Sequence, residues 1–363
     1  MNFDLTTLLV IGEGATLGAW AIVSLLIEQA PKFGLLDRPN DRSMHIRVTP
    51  RGGGIGIVLA VLVAPGLLPA FRTTPGLPVV ICLSSALLIA AVSLRDDFKS
   101  LSAGVRFLCH LLLAGVVIGG TGYYRRASVP FGGIVDFGWM GVPLTVVWIV
   151  GLTNVYNFMD GIEGIAGVQG LTAGLAWMAA GWWLSSPAVA LLGTALAGGC
   201  LGFLIHNWPP ARIFMGDVGS AFLGFLFALL PLVALREPSL QGRPFEAEVL
   251  PVFGLLVVWP FVGDGFYTFV RRACRGEIVW KPHRAHLYQR LVAVGWRHSK
   301  VSSLYAAWCG VSALVGLLWL TGDLSAGVGV AVVPVLTLAA MIALVAHLER
   351  RLARPGSGTE VKP

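Results

Sequence analysis

Charged side chains are scarce in this sequence. Asp, Glu, Lys and Arg together make up 12% of its 363 residues, and hydrophobic residues make up 56%, whereas about a quarter of a soluble globular domain is charged. The mean hydropathy of +0.77 is also high for a protein in water. The composition therefore excludes an ordinary soluble protein and predicts one that crosses a membrane many times, with about 20 residues in each span.

Cysteine is also sparse, and its spacing has no metal or redox signature. The five cysteines are scattered along the chain without a Cys-x-x-Cys pair, which argues against a zinc site or a redox dithiol. We interpret them as small core residues. The first apolar run lacks a basic segment before it, so we expect it to remain as a helix rather than to be removed as a signal peptide.

Eleven apolar segments predict an all-α polytopic transmembrane bundle. A periplasmic N-terminus and a cytoplasmic C-terminus place 21 of the 26 Lys and Arg residues on the cytoplasmic side and 5 outside, as the positive-inside rule requires. Because these basic residues lie in short loops beside anionic lipid, the net charge of +7 does not indicate nucleic acid. The predicted spans are residues 7–29, 53–71, 77–94, 104–121, 139–157, 165–184, 188–205, 219–235, 249–270, 301–320 and 327–347.

These spans leave no room for a separate soluble domain. We predict one integral-membrane domain over residues 1–349, followed by a polar, disordered cytoplasmic tail over residues 350–363. One outer loop, residues 122–138, is expected to form a short hairpin at the membrane interface, with its tyrosines at headgroup depth.

Aspartates recur at helix ends that this orientation places on the cytoplasmic side. Asp96 and Asp97 end the third predicted span, and Asp217 opens the eighth between Gly216 and Gly219. The alternative is structural, because the first two can favour the start of the next helix and the third can cap its own. Charges beside hydrocarbon are costly unless they bind something. We therefore interpret these carboxylates first as a site for a hard cation that holds phosphate oxygens.

Polar residues also interrupt two apolar spans. Asn154, Asn157 and Asp160 repeat every third position at the end of the fifth span, so they share roughly one helical face. A simple helix stop explains the glycines that follow but not this stack of polar groups. Asp264, inside the ninth span, is a functional candidate for the same reason, with an ion pair to nearby arginines as the alternative.

Two basic inner loops face the same side as these acids. The longest, 271–300, contains His283, Arg284 and His286. Histidines three apart can bind zinc, but a third ligand at a suitable spacing is lacking. The loop is better suited to the diphosphate of a nucleotide, because positive-inside anchoring explains the arginines but not the histidines. Arg47 belongs to the first inner loop, whose glycine run serves either packing or backbone approach to a phosphate.

The order of these motifs resembles that of one enzyme family. The chain contains Asp-Arg-Pro-Asn-x-Arg-x-x-His, Gly-Gly-Gly, Asp-Asp-Phe-x-x-Leu, Asn-x-x-Asn-Phe-x-Asp-Gly-x-x-Gly, Phe-Met-Gly-Asp-x-Gly-Ser and Pro-His-Arg-x-His-x-Tyr-Gln between about residues 35 and 300. This combination resembles the polyprenyl-phosphate N-acetylhexosamine-1-phosphate transferases, glycosyltransferase family 4, which includes WecA and MraY. The last motif looks most like the WbpL-type branch, although Arg290 stands where we expect histidine.

The resemblance implies a transfer reaction at the cytoplasmic face of a bacterial inner membrane. A sugar 1-phosphate, from an N-acetylated hexosamine or deoxyhexosamine, would pass from a UDP-sugar to undecaprenyl phosphate and release UMP. The reaction would depend on Mg²⁺, with Mn²⁺ as a substitute, and would start O-antigen or other cell-envelope glycan assembly. The MraY branch usually has a triple-histidine run in the last inner loop, which this chain lacks, and this argues against a muramoyl-pentapeptide donor. UDP-N-acetylglucosamine stays open, as does a homodimer.

The resemblance also implies roles for individual residues. The expected metal ligands are Asp217 and Asp97; the expected catalytic residues are Asp96, Asp97, Asp160, His283 and His286; and the expected substrate-binding residues are Arg47, Asn154, Asn157, Glu163, Asp264 and Arg284.

A transporter or lipid flippase is the alternative from another class, because it also has many spans and membrane-embedded acids. Transporters place coupling residues near mid-bilayer, often in paired repeats. Here the acids cluster at one predicted face and the sequence has no convincing internal repeat. The transferase is therefore the favoured hypothesis.

Overall fold

The computed structural model describes residues 4–39, 44, 47–63, 76–279, 283–323 and 326–353, and these are predominantly helical. Each of the eleven predicted apolar segments coincides with at least one helix. The helices are α1 (Leu5–Gln29), α2 (Gly54–Val63), α3 (Leu77–Phe98), α4 (Ala103–Thr121), α5 (Gly141–Met159), α6 (Ile165–Trp183), α7 (Pro187–Asn207), α8 (Asp217–Ala234), α9 (Pro244–Val257), α10 (Trp259–Cys274), α11 (Leu287–Ala293), α12 (His298–Leu320) and α13 (Ala326–Leu352).

Eight of the described helices are long and apolar enough to cross a membrane, namely α1, α3, α4, α5, α7, α8, α12 and α13. The bent pair α9 and α10 makes a ninth candidate. The two other predicted spans are α2, an apolar helix of 10 described residues, and α6, in which Gln169, several glycines and three tryptophans lower the hydropathy. The protein is a multi-pass helical membrane protein, and its described residues provide eight or nine candidate spans by length and composition.

The ninth predicted span, residues 249–270, is two helices rather than one. α9 and α10 meet at Val258 with a bend of 68°. Pro260 is the second residue of α10 and lacks the N–H that would continue the hydrogen-bond ladder of α9. The carbonyl of Val257 at the bend accepts instead from Gln169 Nε2 at 2.9 Å and from Cys309 Sγ at 3.1 Å. Buried side chains from α6 and α12 thus stabilise the break.

Replacement of Gln169 with leucine is expected to lower the free energy of unfolding by about 1–3 kcal/mol, because a buried carbonyl loses one of its donors. Thermal unfolding of the purified protein in detergent measures this. Gln241→Leu is the matched control, since Gln241 is an exposed loop residue. If the two variants melt at the same temperature as the wild type, the bend does not depend on this hydrogen bond.

Helix α8 forms the centre of the bundle. In the described structure, 94% of the apolar stretch of α8 that could cross the membrane is buried, and 83% of the corresponding stretch of α7. This is expected for helices that are apolar on all sides. Small residues allow close helix contacts here: a Cβ on Gly174 of α6 would lie 2.6 Å from the backbone nitrogen of Ala197 in α7. The inner helices are therefore packed backbone against backbone.

The polar helix ends meet at one end of the bundle. Arg106, in the first turn of α4, and Asn157, in the last turn of α5, both contact Asp217 at the start of α8. At the opposite ends of α4 and α8, Arg236 Nε donates to the carbonyl of Thr121 at 2.5 Å. The predicted convergence of acidic helix ends is thus present in the fold; that this end faces the cytoplasm stays a prediction.

A two-stranded hairpin follows α4. Strands Arg126–Val129 and Gly133–Asp136 pair antiparallel, which confirms the hairpin predicted at residues 122–138. Tyr124 is buried and donates its hydroxyl to the carbonyl of Ala228 at 2.9 Å; the headgroup depth expected for the tyrosines stays a prediction. This tyrosine fastens the hairpin to α8.

Three of the five cysteines, all within the described ranges, are buried as predicted, whereas Cys109 is half-buried and Cys274 is exposed; all are free thiols. At the C-terminus, α13 extends to Leu352. Arg350 and Arg351, which were expected in a disordered tail, are therefore helical. The remainder of the predicted tail, residues 354–363, lies outside the described residues.

Candidate active site

A cavity of about 270 Å³ opens at the end of the bundle where the acidic helix ends meet. Five of the predicted site residues line it: Asp97, Asn157, Asp160, Glu163 and Asp217. It is also lined by residues for which no role was predicted, among them Arg51, Asn207, Phe214, Gln289 and His298.

Asp97 caps a helix far away in sequence. It is the penultimate residue of α3 and is buried, and its carboxylate accepts from the backbone nitrogens of Asp217 at 3.1 Å and Val218 at 3.0 Å. Gly216, with φ +77°, makes this approach possible, because a Cβ there would lie 2.8 Å from Asp97 Oδ2. The N-terminus of α8 is therefore capped by Asp97 and not, as the structural alternative supposed, by Asp217 itself.

The carboxylate of Asp217 is consequently directed into the cavity. Asn157 Nδ2 donates to Asp217 Oδ1 at 2.9 Å and to Ser220 Oγ at 2.9 Å. Asn154, one turn earlier, instead donates to the carbonyl of Val150 and contacts His110 Nδ1 at 3.3 Å. The polar stack of α5 is thus divided: Asn157 reaches the cavity, and Asn154 bonds to neighbours outside its wall.

Arg106 links two of the aspartates. Its Nη1 lies 2.6 Å from Asp96 Oδ2 and 3.3 Å from Asp217 Oδ2. Asp96 also accepts from the backbone nitrogen of Leu101, so part of its role is to close the turn between α3 and α4. Arg106 was not among the predicted site residues, because its spacing along the chain does not indicate that it reaches Asp217.

The charges in this cluster fit a divalent cation. Burial and the negative charges of Asp217 and Asp97 raise the pKa of Asp160 to about 8, which indicates that the carboxylates repel one another. Carboxylate and amide oxygens are ligands of hard cations. Within the described ranges, however, no group of three or more His, Cys, Asp or Glu side chains has metal-binding geometry. Mg²⁺ usually takes only one or two carboxylates and completes its shell with water and substrate phosphates, and its binding here stays a prediction.

The first inner loop contributes Arg51 rather than Arg47 to the cavity. Phe214 N donates to the carbonyl of Pro50 at 2.8 Å, and Gly53 N donates to that of Phe214 at 2.9 Å, so the loop pairs with the segment before Asp217. Arg51 donates to the carbonyl of Asp97, and its buried Nε has no hydrogen-bond partner in the described part of the chain. Arg51 lines the cavity, and a guanidinium there suits a phosphate oxygen. Arg47 is exposed and lies outside the cavity wall.

A second wall is built by the start of α12 and the turn after α5. His298 Nδ1 lies 3.4 Å from Glu163 Oε2, and Ser302 donates to the carbonyl of Glu163 at 2.8 Å. Asn207, at the end of α7, accepts from Gly164 N at 2.9 Å. No sequence motif had marked His298 or Asn207, because each acquires its place only when distant helices pack together.

The histidine segment, residues 283–289, lies behind this wall. Neither His283, Arg284 nor His286 lines the cavity; Gln289 of the same segment does. His286 Nδ1 is 3.2 Å from Oδ1 of Asp264, which is fully buried. The pKa of His283 is lowered to about 4 by burial and by the charges of His286 and Arg272, so this imidazole is neutral at neutral pH.

Arg290, where the resembling branch was expected to have histidine, has a structural partner. Its Nε and Nη2 lie 2.8 and 2.7 Å from the two carboxylate oxygens of Glu349 in α13. This two-point ion pair holds α11 against the last helix.

Comparison with known proteins gives a consistent result. The family model described as glycosyl transferase family 4 matches residues 79–235. A probable undecaprenyl-phosphate N-acetylglucosaminyl 1-phosphate transferase of Bacillus subtilis is 34% identical over 74% of this chain and 73% of its own length. A decaprenyl-phosphate N-acetylglucosaminephosphotransferase of Mycobacterium tuberculosis is 32% identical over 78% and 75%. A phospho-N-acetylmuramoyl-pentapeptide-transferase of Heliobacterium modesticaldum is 30% identical over 84% and 94%.

The family match covers α3 to α8, the helices that carry Asp97, Asn157, Asp160 and Asp217. The relatives extend the similarity over most of the chain. This multi-pass membrane protein belongs to glycosyl transferase family 4.

Proposed function

We propose that the protein transfers an N-acetylhexosamine 1-phosphate from a UDP-sugar to undecaprenyl phosphate at the cytoplasmic face of the membrane, with release of UMP. The observation that carries the proposal is one cavity lined by the carboxylates of Asp97, Asp160 and Asp217 together with the guanidinium side chain of Arg51. Such a cavity suits a cation and the phosphates that it bridges. The relatives are named as transferases of polyprenyl phosphates, which supports the same reaction.

The chemistry needs no nucleophile from the protein. A phosphate oxygen of the lipid attacks the β-phosphorus of the UDP-sugar, and the new O–P bond forms as the bond to the bridging oxygen breaks. UMP leaves with that oxygen. Both substrates are polyanions, so catalysis consists mainly of positioning and of charge stabilisation.

The residues have separate tasks in this proposal. Asp217 and Asp97 are the proposed Mg²⁺ ligands, and the cation would screen the charge of the two substrates. Asp97 also fixes the start of α8, Arg51 holds phosphate oxygen, and Glu163 with His298 forms a polar wall for the nucleotide-sugar. Asp217 itself is held by Asn157.

UDP-N-acetylglucosamine is the first donor to test, because two of the relatives above have N-acetylglucosamine in their names. A deoxyhexosamine donor and a role at the start of O-antigen assembly are the finer alternatives. We propose to incubate the purified protein with undecaprenyl phosphate, Mg²⁺ and a panel of UDP-sugars, and to measure UMP and the lipid-linked product. Lipid-dependent UMP release is expected. No release with any donor, together with UDP-sugar uptake into proteoliposomes, would favour a transporter.

Removal of divalent cations is expected to lower the rate of UMP release at least about 100-fold, because the substrates then approach without charge neutralisation. EDTA treatment followed by dialysis measures this. Added Mg²⁺ should restore the rate, and Mn²⁺ should restore much of it. An undiminished rate after EDTA treatment would refute the metal-dependent form of the proposal.

A further inference from the structure

Asp264 is a fully buried carboxylate outside the cavity wall. Its Oδ1 accepts from Leu287 N at 2.9 Å and from Thr268 Oγ1 at 3.0 Å. Its Oδ2 accepts from Tyr305 Oη at 2.6 Å and from Tyr288 N at 3.3 Å. A buried charge is tolerated only when donors surround it in this way. The arrangement differs from the substrate contact that the sequence predicted for Asp264, because no face of this side chain is exposed.

The donors to Asp264 belong to three elements. Thr268 lies on α10 with Asp264 itself, Leu287 and Tyr288 form the first turn of α11, and Tyr305 lies on α12. One carboxylate therefore fixes the start of α11 relative to two membrane helices. Arg290 and Glu349 fix the far side of α11 to α13. The histidine segment, residues 283–289, is held at both sides of its helix.

Tyr288 connects this anchored segment to the cavity. The hydroxyl of Tyr288 donates to the carbonyl of Phe158 at 3.2 Å. A Cβ on Gly161 would collide with the same hydroxyl, so Tyr288 packs directly on the residue that follows Asp160. Gln289 lines the cavity and accepts from His286 N at 3.2 Å. Displacement of the first turn of α11 would therefore move two parts of the cavity wall.

Asp264 also orients a histidine. His286 Nδ1 lies 3.2 Å from Asp264 Oδ1, and the His283 and His286 rings have centroids 4.9 Å apart. A carboxylate beside one ring nitrogen fixes the orientation of an imidazole. With Nδ1 directed at Asp264, Nε2 is the nitrogen that remains for other contacts.

We propose that Asp264 is a positioning residue of the transfer reaction, which holds the histidine segment and Tyr288 against the cavity. Its kinetic part rests on the transferase function proposed above. Its structural part, the ordering of residues 283–289 by a single buried carboxylate, stands independently of that function.

The test is the isosteric variant Asp264→Asn. An amide offers one acceptor oxygen where the carboxylate offers two, so amide hydrogen exchange at residues 287–289 is expected to rise at least about 10-fold, the equivalent of one lost hydrogen bond. The kcat for UMP release, per folded molecule, is expected to fall about 10- to 100-fold while KM for both substrates changes less than about 2-fold, because misplacement acts on the transition state. Tyr305→Phe, which removes one donor to Asp264, should give smaller changes in the same direction.

Two controls separate positioning from general loss of stability. Thr268→Val removes a donor on Asp264's own helix and should leave kcat and the exchange of residues 287–289 near wild-type values. Gln169→Leu weakens the core at the bend and should lower the melting temperature without the loss of kcat. Wild-type kcat in Asp264→Asn, or an equal loss of kcat in Gln169→Leu, would overturn the proposal. If the wild type releases no UMP, the proposed function is wrong, but the structural part of this proposal can still be tested. Unchanged hydrogen exchange in Asp264→Asn or Tyr305→Phe would then show that Asp264 does not order residues 283–289.

Discussion

Asp217→Asn should reduce sugar-phosphate transfer about 1000-fold or more while the protein stays inserted and folded. The asparagine keeps the size of the side chain and an oxygen for Asn157 Nδ2, which donates at 2.9 Å. It removes the negative charge that faces Arg106 and the proposed cation. Because a bound divalent cation contributes several kcal/mol of charge stabilisation to phosphoryl transfer, its loss corresponds to this factor.

The measurement is UMP release together with Mn²⁺ binding followed by electron paramagnetic resonance. Asp136→Asn is the matched control, since Asp136 forms the same kind of ion pair, with Arg126 at 3.0 Å, in the hairpin at the other end of the bundle. That variant should keep wild-type activity. Full activity of Asp217→Asn would contradict the assignment of Asp217 as a metal ligand, and retained Mn²⁺ binding with lost turnover would assign it to substrate binding instead.

The sequence predicted the helices and their polar ends well because both depend on local features. Hydropathy alone located every apolar segment that forms a helix, and the positions of Asn157, Asp160 and Asp217 at helix ends predicted that they would meet. The break at Val258 was also readable in principle, since Pro260 cannot continue the ladder of α9. The prediction of one continuous span gave hydropathy too much weight at that position.

Pairings between distant helices could not be predicted in the same way. That Asp97 caps α8 and that Asp264 faces inward toward α11 depend on which face each helix turns to its neighbours. Hydrophobic periodicity does not fix that face in a membrane, where the lipid side and the protein side of a helix are both apolar. For the same reason Arg51 and His298 emerged as cavity residues only from the packed structure.

Arg106 depends on such a pairing most strongly, because it joins Asp96 at the end of α3 to Asp217 at the start of α8. Its replacement by alanine leaves two carboxylates without their common counter-ion beside a third, that of Asp160. We expect kcat/KM to fall about 100-fold, because the loss of one preorganised charge at a phosphoryl-transfer site is of this order. Arg106→Lys should retain part of the activity, since an ammonium keeps the charge but differs from a guanidinium in its hydration and donor geometry.

Arg126→Ala is the matched control for the replacement of Arg106 by alanine. Arg126 is also an arginine paired with two acids, Asp136 and Glu248, but it lies in the hairpin away from the cavity. If Arg106 acts by organising the carboxylates at the cavity, its alanine variant loses turnover while Arg126→Ala does not, and the two variants melt at similar temperatures. Equal losses of activity in both would mean that ion pairs anywhere in the bundle support the active fold, and Arg106 would then have no specific part in the reaction.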